Sequence, residues 1–286
     1  HTPLVNKMIK NLILSGGGLN IYITLGALDV LLQKGHLDNL ENICGCSAGS
    51  LIAVCLALGV TPRQISDIPQ TSNFIQWNAY NDVMALGSPL DIGPIREMCR
   101  SLLKQYPNVK TFQDITDLYG KNVTVVATDY LTGETVYFNT ENTPDYDLVE
   151  CMVASCTLPF VFSPTEYMGR KYWDGTVSDP LSLSLYSEMH TLAINLTFDI
   201  ANASNPFMRF LNIVFKKIRE LNHIDKYNIV QISVPPDANP EGMLSSDIGK
   251  KFSLFCYGQS GCLEQISAIV RKMKSQERHY GSGDED

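Results

Sequence analysis

Apolar residues recur along this chain in two rhythms, and their alternation sets the first expectation of its architecture. Asn11 to Leu14 is a short apolar run that stops at Ser15-Gly16-Gly17-Gly18. The next segment reads as an amphipathic helix, with Ile21, Leu25, Leu28, Leu31 and Leu32 at helical spacing until Gly35 ends it. The pattern then repeats: Asn42 to Ser50, running into the apolar segment Leu51 to Leu58, reads as a short strand, a sharp turn at Gly45-Cys46-Ser47-Ala48-Gly49 and a helix closed by Gly59. Thr61-Pro62 opens another helix as N-cap and first-turn proline. Two β-α units in the first sixty residues predict an α/β fold, a mostly parallel sheet with helices on its faces. Both loops should then lie at the carboxyl ends of adjacent strands, where open α/β sheets hold their sites.

Downstream the rhythm is mixed. Residues 72 to 92 show no period and carry Trp77, Tyr80 and Met84, so they read either as a flap over the site or as packed loop. Helical spacing returns over Pro94 to Tyr106, and Thr111-Phe112-Gln113-Asp114 has the form of a helix start. Asn122 to Thr128 alternates, and a turn at Leu131 to Glu134 leads into Thr135 to Asn139 as a hairpin. Asp147 caps a helix that ends near Pro159. A second hairpin around Gly169-Arg170 then delivers Asp174-Gly175 to a turn. Thr191 to Thr197 and Asn228 to Val234 read as strands, with a helix from Pro206 to Leu221 between them. Two more helices are expected over Ser246 to Tyr257 and Cys262 to Lys274, and a disordered tail over Gly281 to Asp286. With no repeat or clear linker, residues 1–280 are expected to form one domain.

Composition changes this picture only at its margins. A chain of 286 residues with 44% hydrophobic content can bury a substantial core. Its formal net charge of -8 argues against binding a phosphate backbone, so no nucleic-acid partner is expected. None of the eight cysteines forms a Cys-x-x-Cys pair beside a histidine pair, which argues against structural zinc and suits buried thiols of a reducing compartment. There is no basic-apolar-small leader, and the longest apolar run, around residues 51 to 60, is too short to span a bilayer. The expectation is a cytoplasmic protein.

The candidate chemistry gathers at the two early loops. Gly45-Cys46-Ser47-Ala48-Gly49 has the Gly-x-Ser-x-Gly form of a nucleophile elbow, with Ser47 at a helix N-terminus whose free amides favour a developing oxyanion. Small residues also fill strand-to-helix turns for packing alone. Gly16, Gly17 and Gly18 expose bare backbone amides of the kind an oxyanion hole requires. The same loop reads alternatively as a flexible connection or a dinucleotide site, although the dinucleotide fingerprint needs glycine where Ile21 stands. A serine needs a base, and none of His1, His36, His190, His223 and His279 is well placed. Asp174 is better placed, after a strand and before Gly175; its plainer reading is an Asx turn.

Five segments in order then carry a resemblance. Gly16-Gly17-Gly18, the Ser47 elbow, Ala127-Thr128-Asp129-Tyr130-Leu131-Thr132-Gly133, Ala154-Ser155-Cys156-Thr157-Leu158-Pro159 and Trp173-Asp174-Gly175-Thr176-Val177-Ser178-Asp179 resemble the patatin-like phospholipases from residue 11 to about 182. The resemblance implies a three-layer α/β fold and a Ser-Asp dyad in place of a triad. Ser47 would be the nucleophile and Asp174 the proton acceptor. Amides of Gly17 and Gly18, together with Gly16 and Ala48, would hold the oxyanion. The implied activity is hydrolysis of fatty acyl esters of the phospholipase A or lysophospholipase type, without cofactor or metal, at a membrane or micelle surface. Rival readings are acyl transfer to an alcohol other than water and a catalytically weak lipid-binding protein.

The chain also departs from the family pattern. Asn20 stands where arginine or lysine is usual, Ile21 where a glycine is common, Thr176 where a second glycine follows Asp-Gly, and Pro180 where asparagine is frequent. Thr176 is positioned to hydrogen-bond Asp174 and tune its basicity. The segment Pro206 to Leu221 combines Phe207, Phe210, Leu211, Val214 and Phe215 with Arg209, Lys216, Lys217 and Arg219. It reads either as an interfacial or lid helix giving peripheral membrane contact, or as a core-facing helix with a solvated side.

Overall fold

The computed structural model describes residues 8–67, 90–199, 206–221, 224–235 and 248–281. The stretch from 72 to 89 and the tail beyond Gly281 lie outside the described residues. The chain runs through β1 (Asn11–Leu14), α1 (Ile21–Gln33), β2 (Asn42–Cys46), α2 (Ala48–Ala57), α3 (Pro62–Ser66), α4 (Gly93–Leu103) and α5 (Phe112–Tyr119). It continues through β3 (Asn122–Asp129), β4 (Thr135–Phe138), α6 (Leu148–Ser155), β5 (Thr165–Tyr167), β6 (Arg170–Asp174) and β7 (Thr191–Thr197). The last described elements are α7 (Pro206–Leu221), β8 (Asn228–Ser233) and α8 (Ile248–Gly281).

Eight strands form one mixed sheet, in which β3, β2, β1, β7 and the edge strand β8 are mutually parallel. Parallel strands are covered on both faces, and the two faces here are covered differently. On one, Leu12, Leu14, Ile43, Val123, Val125 and Ile194 join the main core with residues of α1, α2, α6 and α8. On the other, Ile13, Cys44, Cys46, Val126 and Ala193 meet Leu181 and Leu183 from the segment that follows β6.

Edge sharing along β3 decides where the chemistry sits. Strand β4 occupies one edge over Val125–Thr128, so β2 and β6 share the other. Strand β2 pairs up to Cys46↔Val126 and then turns away into its helix. The edge it vacates is taken up by β6, antiparallel, with Asp174 opposite Ala127. The end of β6 therefore stands where β2 would have continued, one residue past Cys46 and level with Ser47.

Two expectations fail here. Helix α1 is not amphipathic: Tyr22 to Leu31 are all buried, because α8 packs along the side that would otherwise meet solvent. The two carboxy-terminal helices are a single helix of 34 residues. Glycine at 258 reads as a break, but its role is close approach: a β-carbon on Gly258 would overlap the Ile23 carbonyl, and one on Gly26 the Phe255 carbonyl. The two glycines let α1 and α8 meet backbone to backbone.

Candidate active site

At the elbow, Ser47 has φ 54° and ψ -129°, a left-handed conformation that costs of order 1–3 kcal/mol for a residue other than glycine. Both ends of its backbone are held. The Ser47 amide donates to Ser155 Oγ at 2.8 Å, and the Ser47 carbonyl accepts from the Ser50 amide at 2.8 Å and from Ser50 Oγ at 2.6 Å. Ser155 is fully buried and its hydroxyl donates onward to the Val126 carbonyl, so α6, the elbow and β3 are tied at one point. The flanking glycines are steric necessities. A β-carbon on Gly45 would overlap the Gly49 carbonyl, and one on Gly49 would lie 2.6 Å from the Leu14 carbonyl oxygen.

Asp174 is 2% exposed, and Ser47 Oγ donates to its Oδ2 at 2.6 Å. Its other oxygen, Oδ1, accepts from the Thr176 amide at 2.9 Å and the Thr176 hydroxyl at 2.8 Å. Its backbone is fixed by the Thr157 carbonyl at 2.8 Å and by the Thr128 hydroxyl at 2.9 Å. No cation pairs with it among the described residues. Burial consequently pushes its carboxyl up to about 6, although the hydrogen bonds from Ser47 and Thr176 oppose the rise. Gly175 enters a tight turn directly after Asp174, a place where glycine often supplies a positive φ. It has none, and is required because a β-carbon there would overlap the Val126 carbonyl.

The glycine loop closes the third side. Ser15 donates its amide to Ile194 and accepts at Oγ from the Leu196 amide, which anchors the loop to β7. A β-carbon on Gly16 would lie 3.1 Å from the Ser47 β-carbon and 2.8 Å from Thr176, so the loop, the elbow and the aspartate loop touch. Gly18 has φ 53°. Asn20 is buried, and its side-chain amide donates to the Gly17 carbonyl at 3.2 Å while its Oδ1 finds no donor among the described residues.

Other candidates stand apart. His36 and His190 make no contact with Ser47, and His190 lies 3.0 Å from the Met8 carbonyl; His1 and His223 are outside the described residues. All eight cysteines are unpaired. Burial, reinforced by the Asp174 charge, raises the Cys46 thiol well above its ordinary range, so it stays protonated beside the serine. No three His, Cys, Asp or Glu side chains gather as a metal site among the described residues. Sequence reasoning quoted Ser155 within a motif yet gave it no role. Its signal was a hydroxyl closing the apolar, buried stretch Cys151 to Ala154.

The fold and this arrangement define an α/β protein of the elbow-serine type. A family model described as patatin-like phospholipase matches residues 12–185, and the chain belongs to that family of lipid hydrolases. A protein named probable lipid hydrolase from Invertebrate iridescent virus 6 is 26% identical over 282 residues, covering 93% of this chain and 90% of its own. A cGAMP-activated phospholipase of Escherichia coli is 25% identical over 177 residues, 54% of this chain and 48% of that one. The crystal structure of VipD from Legionella pneumophila shares the fold with a TM-score of 0.61 at 15% identity, over 92% of this chain and 67% of that one.

Proposed function

We propose that the chain cleaves fatty acyl esters of phospholipid or lysophospholipid through Ser47 and Asp174. The observation that carries this reading is the 2.6 Å hydrogen bond from Ser47 to a buried carboxylate that pairs with no cation among the described residues. A lone carboxylate is a weaker base than imidazole. Raising its pKa from 3.8 to about 6 narrows that gap while leaving it ionised at neutral pH.

In the first half-reaction Ser47 Oγ attacks the ester carbonyl carbon as its proton passes to Asp174 Oδ2. The carbonyl oxygen becomes an oxyanion, facing the amides of Gly17 and Gly18 with those of Gly16 and Ala48 beside them. None of these amides donates to an acceptor among the described residues. An oxyanion-hole donor is typically worth about 2.7–4 kcal/mol of barrier. The tetrahedral adduct then expels the alcohol, which takes the proton from Asp174, and leaves an acyl ester on Ser47. Water repeats the sequence, giving its proton to Asp174 and releasing fatty acid and free Ser47.

Asn20 brings no charge to the loop, and its hydrogen bond to the Gly17 carbonyl supports a role in holding the peptide that presents the Gly18 amide. The test is covalent labelling with a fluorophosphonate, read by intact mass and peptide mapping. One adduct on Ser47, absent in Ser47→Ala and weakened in Asp174→Asn, is the expected result. A folded wild-type protein that stays unlabelled contradicts the reading.

A further inference from the structure

An enzyme acting on membrane lipid must bring its mouth to a bilayer, and three exposed apolar side chains stand at the mouth of this one. Leu131 is 84% exposed at the β3–β4 turn, Met168 is 61% exposed at the β5–β6 turn, and Phe160 is 63% exposed just past α6. Single exposed apolar residues are ordinary, so position and backbone must decide whether these three mean anything.

Their positions follow from the sheet. Strand β3 ends at Asp129, beyond the elbow, and the β3–β4 turn continues in that direction. Because β6 is antiparallel to β3 with Asp129 opposite Tyr172, the Met168-Gly169 turn lies at the same end. The two turns are joined there by the Tyr130 amide to the Lys171 carbonyl at 2.9 Å and by Arg170 to Asp129 at 2.8 Å. At the extended rise per residue, both tips project about 13 Å past the level of Ser47. Phe160 lies three residues after Thr157, whose carbonyl holds the Asp174 amide, so the exposed loop that carries it sets out from beside the dyad.

The backbone is the second observation. Met168 and Gly169 have φ 51° and 73°, the two-residue hairpin turn in which both central residues are left-handed. Asn-Gly is the favoured pair there, and a methionine is disfavoured. Phe160 has φ 66°, likewise unfavourable for a bulky residue. Among the described residues, two of the four non-glycine residues with positive φ are thus exposed apolar side chains. Beneath the tips Tyr130 packs edge-on against Trp173 at 4.9 Å, an aromatic pair suited to the depth of lipid headgroups.

We infer that Leu131, Met168 and Phe160 are the prongs by which this chain enters a lipid surface and sets the dyad over it. This rests on the lipid-hydrolase reading above. The prongs stand on separate tips, unlike the continuous packed patch of a protein interface. Their charged neighbours Arg170 and Lys171 are matched by Asp129, Glu134 and Glu166, so the contact is apolar and does not select anionic lipid.

Binding is measured in the Ser47→Ala chain, which separates docking from turnover, by flotation with phosphatidylcholine vesicles and with phosphatidylcholine–phosphatidylserine vesicles at low and high salt. The parent should bind both, with little dependence on salt. Leu131→Ser/Met168→Ser should weaken binding to both about tenfold or more with an unchanged melting temperature. In a Trp77→Phe background, brominated lipid should quench Trp173. Three outcomes overturn the inference: a parent that binds neither vesicle, a folded double variant that binds like its parent, or binding abolished only by Phe210→Ser/Ile213→Ser on α7. A parent that self-associates through these tips and ignores lipid also overturns it, with a second copy as the occupant. Loss of docking with Ser47 labelling intact in the wild-type background leaves the catalytic reading standing, and the reverse result leaves docking standing.

Discussion

Asp29 and Asp174 are each 2% exposed, yet the chain treats their carboxylates in opposite ways. Asp29, on α1, accepts two bonds from Arg63 at 2.9 and 3.0 Å, one from Gln33 and one from Gln259 at 2.8 Å. It is a clamp joining α1, α3 and α8. Among the described residues Asp174 has neutral donors alone, and one of them is the serine whose proton it would take. A buried carboxylate paired with a cation serves to position helices. An unpaired one is held near its titration point and is free to move a proton. Burial alone does not make a base; the absence of a cation does.

The sharpest way to break this contrast is Asp174→Asn, which should lower hydrolysis about 10³-fold or more while leaving the fold at least as stable at neutral pH. The stability sign follows from linkage. A carboxyl raised from 3.8 to about 6 on folding stabilises the native state fully below about pH 4, and that contribution is lost as pH rises through about 6. Removing the charge therefore relieves a cost of about 2–3 kcal/mol at pH 7. Thermal melts of wild type and variant at pH 4 and pH 7 check it. A large loss of stability at pH 7 would mean that Asp174 is a clamp too.

The mirror experiment is Asp29→Ala. It should cost about 2–3 kcal/mol by denaturant melts, since four hydrogen bonds are lost but Arg63 is exposed enough to regain water, and the folded remainder should keep its turnover. Next in size is Ser155→Ala, which frees the Ser47 amide at a strained residue. It should lower kcat about tenfold with little change in KM. Smallest is the pH profile. Turnover should rise with pH through about 6 as Asp174 ionises, and Thr176→Val, which removes a donor to the charged form, should move that midpoint upward.

Much of this was legible in the chain. Short apolar runs ended by glycine marked β1 and β2, and the Thr61, Thr111 and Asp147 caps fall where side-chain patterns placed them. Ser47 and Asp174 could be named because their neighbours, Gly45, Gly49 and Gly175, are forced by carbonyls that a β-carbon would strike. Their contact was legible only as what the family resemblance implies, not from any pattern along the chain. It depends on β2 leaving the β3 edge and β6 taking its place, a long-range register that no local pattern encodes. The same limit hid α8. Gly258 looks like a break along the chain, and only a partner helix gives it another purpose. Ser155 went unassigned for a related reason: its two partners are 108 and 29 residues away.

The most direct test is release of free fatty acid from mixed phospholipid, lysophospholipid and triacylglycerol vesicles, resolved by mass spectrometry, for wild type, Ser47→Ala and Asp174→Asn. The account predicts that wild type releases fatty acid, that both folded variants lose nearly all of it, and that the product masses name the preferred ester. Wild type no more active than Ser47→Ala on every lipid would contradict it, and would leave a lipid-binding protein built on a hydrolase frame.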